Sequence, residues 1–180
     1  MRTASVLFVL LLLGACRESA DPAMMAELDG MILRVDSLTD RLNMIDTERC
    51  DRMDSAFRHQ RDGIEALLVD TITKDTAMII GNYYRAMNKS LGRVRKQWNE
   101  VHEELKKSRK QIEDLRHDLD RRLLPDGPKN TYFQQELLIL DELDRNVNVL
   151  ERSYATAVRE WDDKAEQVER ILSKNARDVE

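Results

Sequence analysis

The stretch 80–119, IGNYYRAMNKSLGRVRKQWNEVHEELKKSRKQIEDLRHDL, contains the longest regular apolar pattern in the chain. Its seam positions follow one another at gaps of three or four residues: Ile80, Tyr84, Met87, Leu91, Val94, Trp98, Val101, Leu105, Ser108, Ile112, Leu115 and Leu119. Ser108 is the one lapse in the apolar character of this set. Such spacing is typical of the heptad seam of a coiled coil, so the stretch predicts one very long amphipathic helix.

The sequence before this stretch predicts another helix that begins at Pro22, with Asp21 as its N-cap. Its apolar positions keep the same spacing: Leu28, Met31, Val35, Leu38, Leu42 and Ile45. Arg49 and Arg52 occupy the next two seam positions. The seam then resumes one residue out of register at Met53, Phe57, Ile64 and Leu67. We expect this slip to act like a stutter, which changes the supercoil locally.

A third helical pattern follows the turn sequence LPDGPKN at 124–130, with Thr131 as the candidate N-cap. Its seam positions are Phe133, Leu140, Leu143, Val147, Leu150, Tyr154, Ala157, Trp161, Val168 and Ile171. Glu136 and Lys164 are polar lapses in this seam. The polar residues 175–180 predict a frayed tail.

These patterns predict an all-α chain with very long helices, since no proline falls between residues 23 and 124. The expected helices cover about 22–69, 76–123 and 131–174. Asp75 or Thr76 can cap the middle helix. Because short loops join antiparallel neighbours, we predict an elongated antiparallel three-helix bundle or coiled coil over residues 22–174.

The last two helices also suggest a register. If the chain reverses at Gly127, residues that face each other have numbers that sum to about 254. Trp98 then faces the small Ala157, as a packed layer requires. The basic run 106–110 begins opposite Asp144, which predicts charge pairing between these two helices.

Composition and charge exclude one class of partner. The chain has 29 basic and 34 acidic residues, a formal net charge of −5. Nucleic-acid binding requires a basic surface, so we expect no nucleic-acid partner. Charged residues make up 35% of the chain and aromatic residues only 5%, which with strong periodicity is typical of coiled coils.

The opening stretch LFVLLLLGACRES, residues 7–19, predicts a secretory signal that ends in a lipid anchor. Arg2 precedes the apolar run, and the run is shorter than the roughly 20 residues that span a bilayer. Leu13, Gly14, Ala15 and Cys16 resemble the lipobox of bacterial lipoproteins. That resemblance implies removal of residues 1–15 and attachment of a diacylglycerol to the Cys16 sulfur, usually with further acylation such as palmitate on the new amino terminus.

This resemblance implies that the chain is lipid-anchored in the cell envelope, where two or three acyl chains hold a protein firmly. Arg17 stands where lipoproteins kept in the inner membrane often have aspartate, which favours the outer membrane. Residues 16–21 form a tether of at most about 20 Å, so the first helix begins near the membrane. The 70–76 loop then lies far from the membrane, and the 124–130 loop lies near it.

The sequence offers no constellation that predicts an enzyme, a metal site or a cofactor other than the lipid. Asp114 and His117 have the three-residue spacing used in metal-binding bundles. The seam at Leu115 and Leu119 turns His117 outward, however. Arg49 and Arg52 break the first seam and are candidates for contact with a protein partner, because buried charges are costly unless they are paired.

Three side chains outside the seams leave alternatives open. Cys50 has no second cysteine after lipidation of Cys16, so it is a plain thiol, a partly buried small residue or the site of an intermolecular disulfide. Thr71 and Thr76 lie in Asp-Thr-aliphatic triplets that resemble the O-glycosylation sequon of some bacterial exported proteins. The sequence also permits an oligomer, formed through Cys50 or through the coiled-coil seams.

We therefore expect a non-catalytic envelope lipoprotein that acts as a helical scaffold or adaptor for another envelope component. The alternative is a periplasmic chaperone of the holdase type, which would expose apolar cavities. A covalent peptidoglycan tether like the major murein lipoprotein requires a basic C-terminal residue, whereas this chain ends in RDVE.

Overall fold

The computed structural model describes residues 21–69 and 72–178, and every regular element in that part of the chain is helical. The helices are α1 (Pro22–Asn43), α2 (Thr47–Val69), α3 (Lys74–Arg85), α4 (Gly92–Arg121) and α5 (Asp126–Asp178), with a π-helical segment (Ala86–Leu91) between α3 and α4. The prediction of an all-α chain is confirmed.

The first predicted helix is broken in the structure, so the prediction of one helix over 22–69 is wrong. Helix α1 ends at Asn43, and α2 begins after Asp46. The Asp46 carboxylate caps α2 by accepting the Arg49 backbone N–H at 2.7 Å. Near the end of α1 the Leu42 carbonyl accepts both the Ile45 N–H at 3.2 Å and the Trp98 indole N–H at 3.1 Å. The slip in the seam therefore coincides with a helix break.

The middle helix is continuous from Lys74 to Arg121 but passes through the π segment. Thr73 caps it through a hydrogen bond from the Thr76 N–H, in place of the predicted Asp75 or Thr76. A π turn accommodates one extra residue, which rotates the preceding helix relative to the α pattern. As a result Tyr83 is fully buried, whereas Tyr84, which the seam placed inside, is half-buried.

The chain reverses at residues 122–125, earlier than predicted. Arg122 adopts the left-handed conformation, with φ 58° and ψ 41°, and ends α4. Helix α5 already begins at Asp126, and Thr131 lies inside it, where its hydroxyl donates to the Gly127 carbonyl at 3.5 Å. Thr131 is therefore not the N-cap.

The earlier turn changes the register of the last two helices. Arg93 donates to the Ser153 hydroxyl at 3.1 Å, and the rings of Tyr83 and Trp161 lie 6.2 Å apart. The residue numbers of these pairs sum to 246 and 244, so the predicted sum of about 254 is wrong. The physical reason is the position of the turn, which centres four residues before Gly127.

Ion pairs show how α1 lies against α5. Arg34 contacts Asp144 at 3.2 Å, and Arg41 contacts Glu151 at 2.5 Å. Residue numbers rise together along both helices, so α1 and α5 run in the same direction. Burial disfavours the charged form of Asp144, but hydrogen bonds from Arg34 and Arg41 outweigh it and lower its pKa.

Other ion pairs show that α1 and α4 run in opposite directions. Arg109 contacts Asp36 at 2.8 Å, and Arg116 contacts Asp29 at 2.6 Å. The basic run 106–110 therefore reaches α1 and nearby residues of its own helix. The predicted pairing of this run with Asp144 is wrong, because Arg34 and Arg41 of α1 occupy that carboxylate.

The core extends along the whole length of the helices. Its largest fully buried side chains are Tyr83, Leu28, Leu42, Met53, Ile64, Ile80, Met87, Leu91, Leu105, Ile112, Leu140 and Leu143. The seam lapses Ser108 and Glu136 are also buried, at 1% and 7% exposure. The Glu136 Oε2 atom has no hydrogen-bond partner, and burial raises the pKa of this carboxyl while Lys107 partly opposes the shift.

We predict that Glu136→Leu stabilises the protein at pH 7 by about 1 kcal/mol, because it removes a buried charge without a full partner. The raised pKa means that the folded state binds the proton more tightly than the unfolded state. Wild-type stability therefore falls as pH rises through that pKa, and the advantage of the variant shrinks at low pH. Urea unfolding between pH 4 and 7 measures both effects.

The matched control is Glu142→Leu, at an exposed position of the same helix. We expect it to change stability by less than about 0.5 kcal/mol at either pH. An equal gain in both variants, or a gain at position 136 that does not vary with pH, contradicts a buried carboxylate as the cause.

Candidate functional site

Several predicted site residues lie outside the part of the chain that the structure describes. These are the lipobox residues Leu13, Gly14, Ala15 and Cys16, and the candidate glycosylation residue Thr71. The lipid anchor and the modification of Thr71 therefore remain predictions. The structure does describe Asp21, which caps α1 by accepting the Ala23 N–H at 3.0 Å.

The two arginines proposed for partner contact lie in different surroundings. Arg49 reaches from α2 to α5 and contacts Asp162 at 2.5 Å. The hydrogen bond from Arg49 to Asp162 is the largest cause of its raised pKa. Arg52 is largely exposed and lies 3.9 Å from both Asp46 and Glu48. Arg49 therefore joins two helices of the chain, whereas Arg52 remains available at the surface.

Cys50 lies beside the helix break and is buried, with 2% of its surface exposed. Burial, together with the nearby Asp46 and Asp51, raises the pKa of its thiol to about 11. The thiol is thus protonated at neutral pH, and the thiolate is the form that reacts. An intermolecular disulfide through Cys50 requires this side chain to leave the core.

Thr76 lies in the first turn of α3 and is half-buried. Its hydroxyl lies 2.9 Å from the Thr73 hydroxyl, within the cap of the helix. A glycan on Thr76 would therefore have to disrupt the cap contact between these two hydroxyls.

An aromatic cluster lies where α2, α3 and the C-terminal part of α5 meet, and we call this region the far end. Phe57 contacts Tyr83 and Tyr84 edge-on, with ring centroids 6.2 and 5.7 Å apart. Trp161 of α5 also contacts Tyr83, with ring centroids 6.2 Å apart. Edge-to-face aromatic pairs add specific geometry to apolar burial, so the cluster fixes how the three helices meet.

A polar network crosses the same region. The Tyr83 hydroxyl donates to Gln60 Oε1 at 2.8 Å, and Gln60 Nε2 donates to Glu169 Oε2 at 2.8 Å. Burial is the main cause of the raised pKa of Tyr83, and the charge of Glu169 adds to it. The phenol therefore stays protonated and serves as a hydrogen-bond donor.

A groove of about 540 Å³ lies on the surface of the far end, between α2 and α5. Its walls are formed by Ala56, His59, Gln60, Gly63, Ala66, Glu169, Leu172, Ser173 and Asn175. A Cβ atom on Gly63 would lie 3.1 Å from a methyl group of Leu172, so glycine permits the close approach of α5 at this point. The groove has a small-residue floor and polar edges.

Apolar side chains of α2 and α3 at the far end are exposed to solvent. Leu68 and Val69 end α2 with 41% and 88% of their surfaces exposed. Met78 of α3 is 56% exposed. Exposed apolar groups beside a groove are typical of surfaces that bind another protein.

The described residues contain no arrangement with an evident catalytic role. The Ser55 carbonyl can only accept, so His59 donates to it through Nδ1, at 2.7 Å. His102 stacks on Trp98 with ring centroids 4.8 Å apart. Within 21–69 and 72–178, no three His, Cys, Asp or Glu side chains form a group that could hold a metal ion. None of the described helices is both long and apolar enough to cross a membrane.

Comparison with known proteins gave no match to any family model, curated protein or solved structure.

The far end includes residues that the sequence pattern did not single out. Gln60 and Glu169 look like ordinary surface residues in the sequence, and nothing in their spacing predicts a shared hydrogen bond. Gly63 lies within a predicted helix, where glycine alone is destabilising. A glycine inside a strong helical pattern can also signal a close approach between helices, which is its role here.

We predict that Tyr83→Phe destabilises the protein by about 1 kcal/mol, because it leaves the Gln60 carbonyl oxygen without its donor in a partly buried network. Tyr84→Phe is the matched control, since its hydroxyl bonds to Glu65 at the surface. We expect the control to cost less than about 0.5 kcal/mol. If urea unfolding gives the same loss of stability for both variants, the hydrogen bond of Tyr83 contributes no more than a surface hydrogen bond.

Proposed function

We propose that this chain is an envelope lipoprotein, anchored through a lipid on Cys16, whose body is an elongated antiparallel three-helix bundle. In this proposal the lipid is in the outer membrane. The body is a non-catalytic scaffold or adaptor that holds another envelope component at a distance from that membrane. The far end, with its groove and exposed apolar side chains, is the surface that meets the partner.

The position of the far end relative to α1 is the observation that supports this assignment. Five residues separate Cys16 from Pro22, so the start of α1 lies close to the lipid. Helices α1 and α2 then lead away from it, and α5 runs parallel to them over 53 residues, about 80 Å at 1.5 Å per residue. The groove is therefore on the part of the body that a lipid on Cys16 would place far from the membrane.

The fixed geometry of the far end also favours an adaptor. Aromatic contacts and the Tyr83–Gln60–Glu169 network hold α2, α3 and α5 together beside the groove. A pre-organised surface binds with a smaller entropy cost than one that must order on binding. A chaperone of the holdase type would be better served by a broad apolar cavity than by this groove, whose lining includes His59, Gln60 and Glu169.

The anchor is tested with Cys16→Ser in the full-length chain expressed in bacteria. We expect the wild-type protein in the membrane fraction and the variant in the soluble fraction, because the lipid is the proposed membrane attachment. Retention of the variant in the membrane fraction after washing at high salt contradicts the lipid anchor.

The adaptor role is tested with a photo-crosslinking amino acid at Val69, in intact cells. The matched control is the same amino acid at Leu33, which is 70% exposed but lies in α1 near the anchor. We expect a discrete crosslinked protein from position 69 and none from position 33. Equal crosslinking at both positions, or none at either, contradicts a partner at the far end. Suppression of client aggregation by the body without the lipid would instead support the chaperone.

A further inference from the structure

The turn that joins α4 to α5 exposes a leucine where helix ends usually bury one. The Leu123 N–H donates to the Asp118 carbonyl at 2.8 Å, and the Arg122 N–H donates to the Leu119 carbonyl at 3.1 Å. These two bonds, with Arg122 in the left-handed conformation, form a Schellman motif. In this motif an apolar residue at the Leu123 position normally packs back on the helix.

Here the two residues at the positions that receive that contact are Asp118 and His117, and neither is an apolar residue. Leu123 is accordingly 62% exposed, while the neighbouring Leu124 packs partly against the core. The left-handed position is also filled by Arg122, although glycine is the residue that adopts it without strain. The turn therefore presents an apolar side chain to solvent beside an arginine.

The turn lies at the end of the body where α1 begins. The ion pairs Arg109–Asp36 and Arg116–Asp29 each join residues whose numbers sum to 145. The same sum places Leu124 level with Asp21, the residue that caps α1. The chain that precedes Asp21 contains Cys16 five residues earlier. The exposed leucine therefore lies at the end of the body where α1 begins, the end that a lipid on Cys16 would hold near the membrane.

We propose that the turn 121–125 is a second membrane contact, in which Leu123 enters the lipid interface. Tyr132, on the first turns of α5, is 48% exposed and can lie at the headgroup level, as interfacial tyrosines do. Arg121 and Arg122 can direct their charged ends to phosphates while their stems cover apolar surface. The inference rests on the lipid anchor proposed above, because the anchor brings the turn to the bilayer.

The contact depends on apolar insertion more than on net charge. Residues 120–129 contain Asp120 and Asp126 as well as Arg121, Arg122 and Lys129, which leaves a net charge of +1. The proposed contact therefore does not require anionic lipid. What the turn binds is the bilayer surface itself. The lipid and the turn together would fix the orientation of the body, because they would attach it to the membrane at two points.

The test uses the full lipidated protein with Cys50→Ala, so that a single new cysteine takes an environment-sensitive fluorophore. The fluorophore is placed on Leu123→Cys, with Val69→Cys and Met44→Cys as controls, which replace residues of 88% and 79% exposure. Each protein is reconstituted into vesicles of phosphatidylcholine alone or of phosphatidylcholine mixed with an anionic phospholipid, in each case with or without brominated acyl chains. Flotation and helical content by circular dichroism are measured on the same samples.

We expect brominated lipid to quench the label at position 123 at least twofold more than the label at position 69 or 44. Vesicles that float with the protein but quench all three positions equally overturn the membrane contact and leave the anchor standing. Failure of the protein to float overturns the anchor and, with it, this inference. Quenching at position 123 that appears only with anionic lipid overturns the apolar mode of contact.

Discussion

Continuous burial of one long apolar seam is the constraint on which the rest of this structure depends. The seam runs through α3, the π segment and α4 and needs a partner surface along its whole length, because exposed apolar area costs about 25 cal/mol per Å². Helix α5 supplies one side of that surface, and α1 and α2 supply the other. Ion pairs at the edges, such as Arg41–Glu151 and Arg116–Asp29, then align helices that burial has already brought together.

At each interruption of the seam, the helix changes its local geometry. Where the first seam slips, the helix breaks and Asp46 caps the new helix, while the Trp98 indole satisfies the Leu42 carbonyl. Where the middle seam meets the aromatic cluster, a π turn takes up the extra residue and brings Tyr83 inside. These devices keep the core continuous without requiring a perfect heptad pattern.

The sequence predicts the helical class and most buried positions because both follow from local periodicity. Leu28, Ile112 and Leu140, for example, are predicted seam residues and are fully buried. The helix break, the π turn and the position of the α4–α5 turn depend on tertiary contacts that periodicity does not contain. Arg122 shows this clearly, since its left-handed conformation would be expected of glycine and moves the turn away from Gly127. The Tyr83–Gln60–Glu169 network escapes prediction for the same reason, because its members belong to three helices.

The proposed role depends on a single elongated body with its two ends about 80 Å apart, one near the lipid and one at the groove. Small-angle X-ray scattering of the body from Arg17 onward, with mass determined on the same sample, measures this most directly. The account predicts one chain with a radius of gyration of about 24 Å, as expected for a rod of that length. A compact monomer with a radius of gyration of about 15 Å, or a mass of two or more chains, would contradict it.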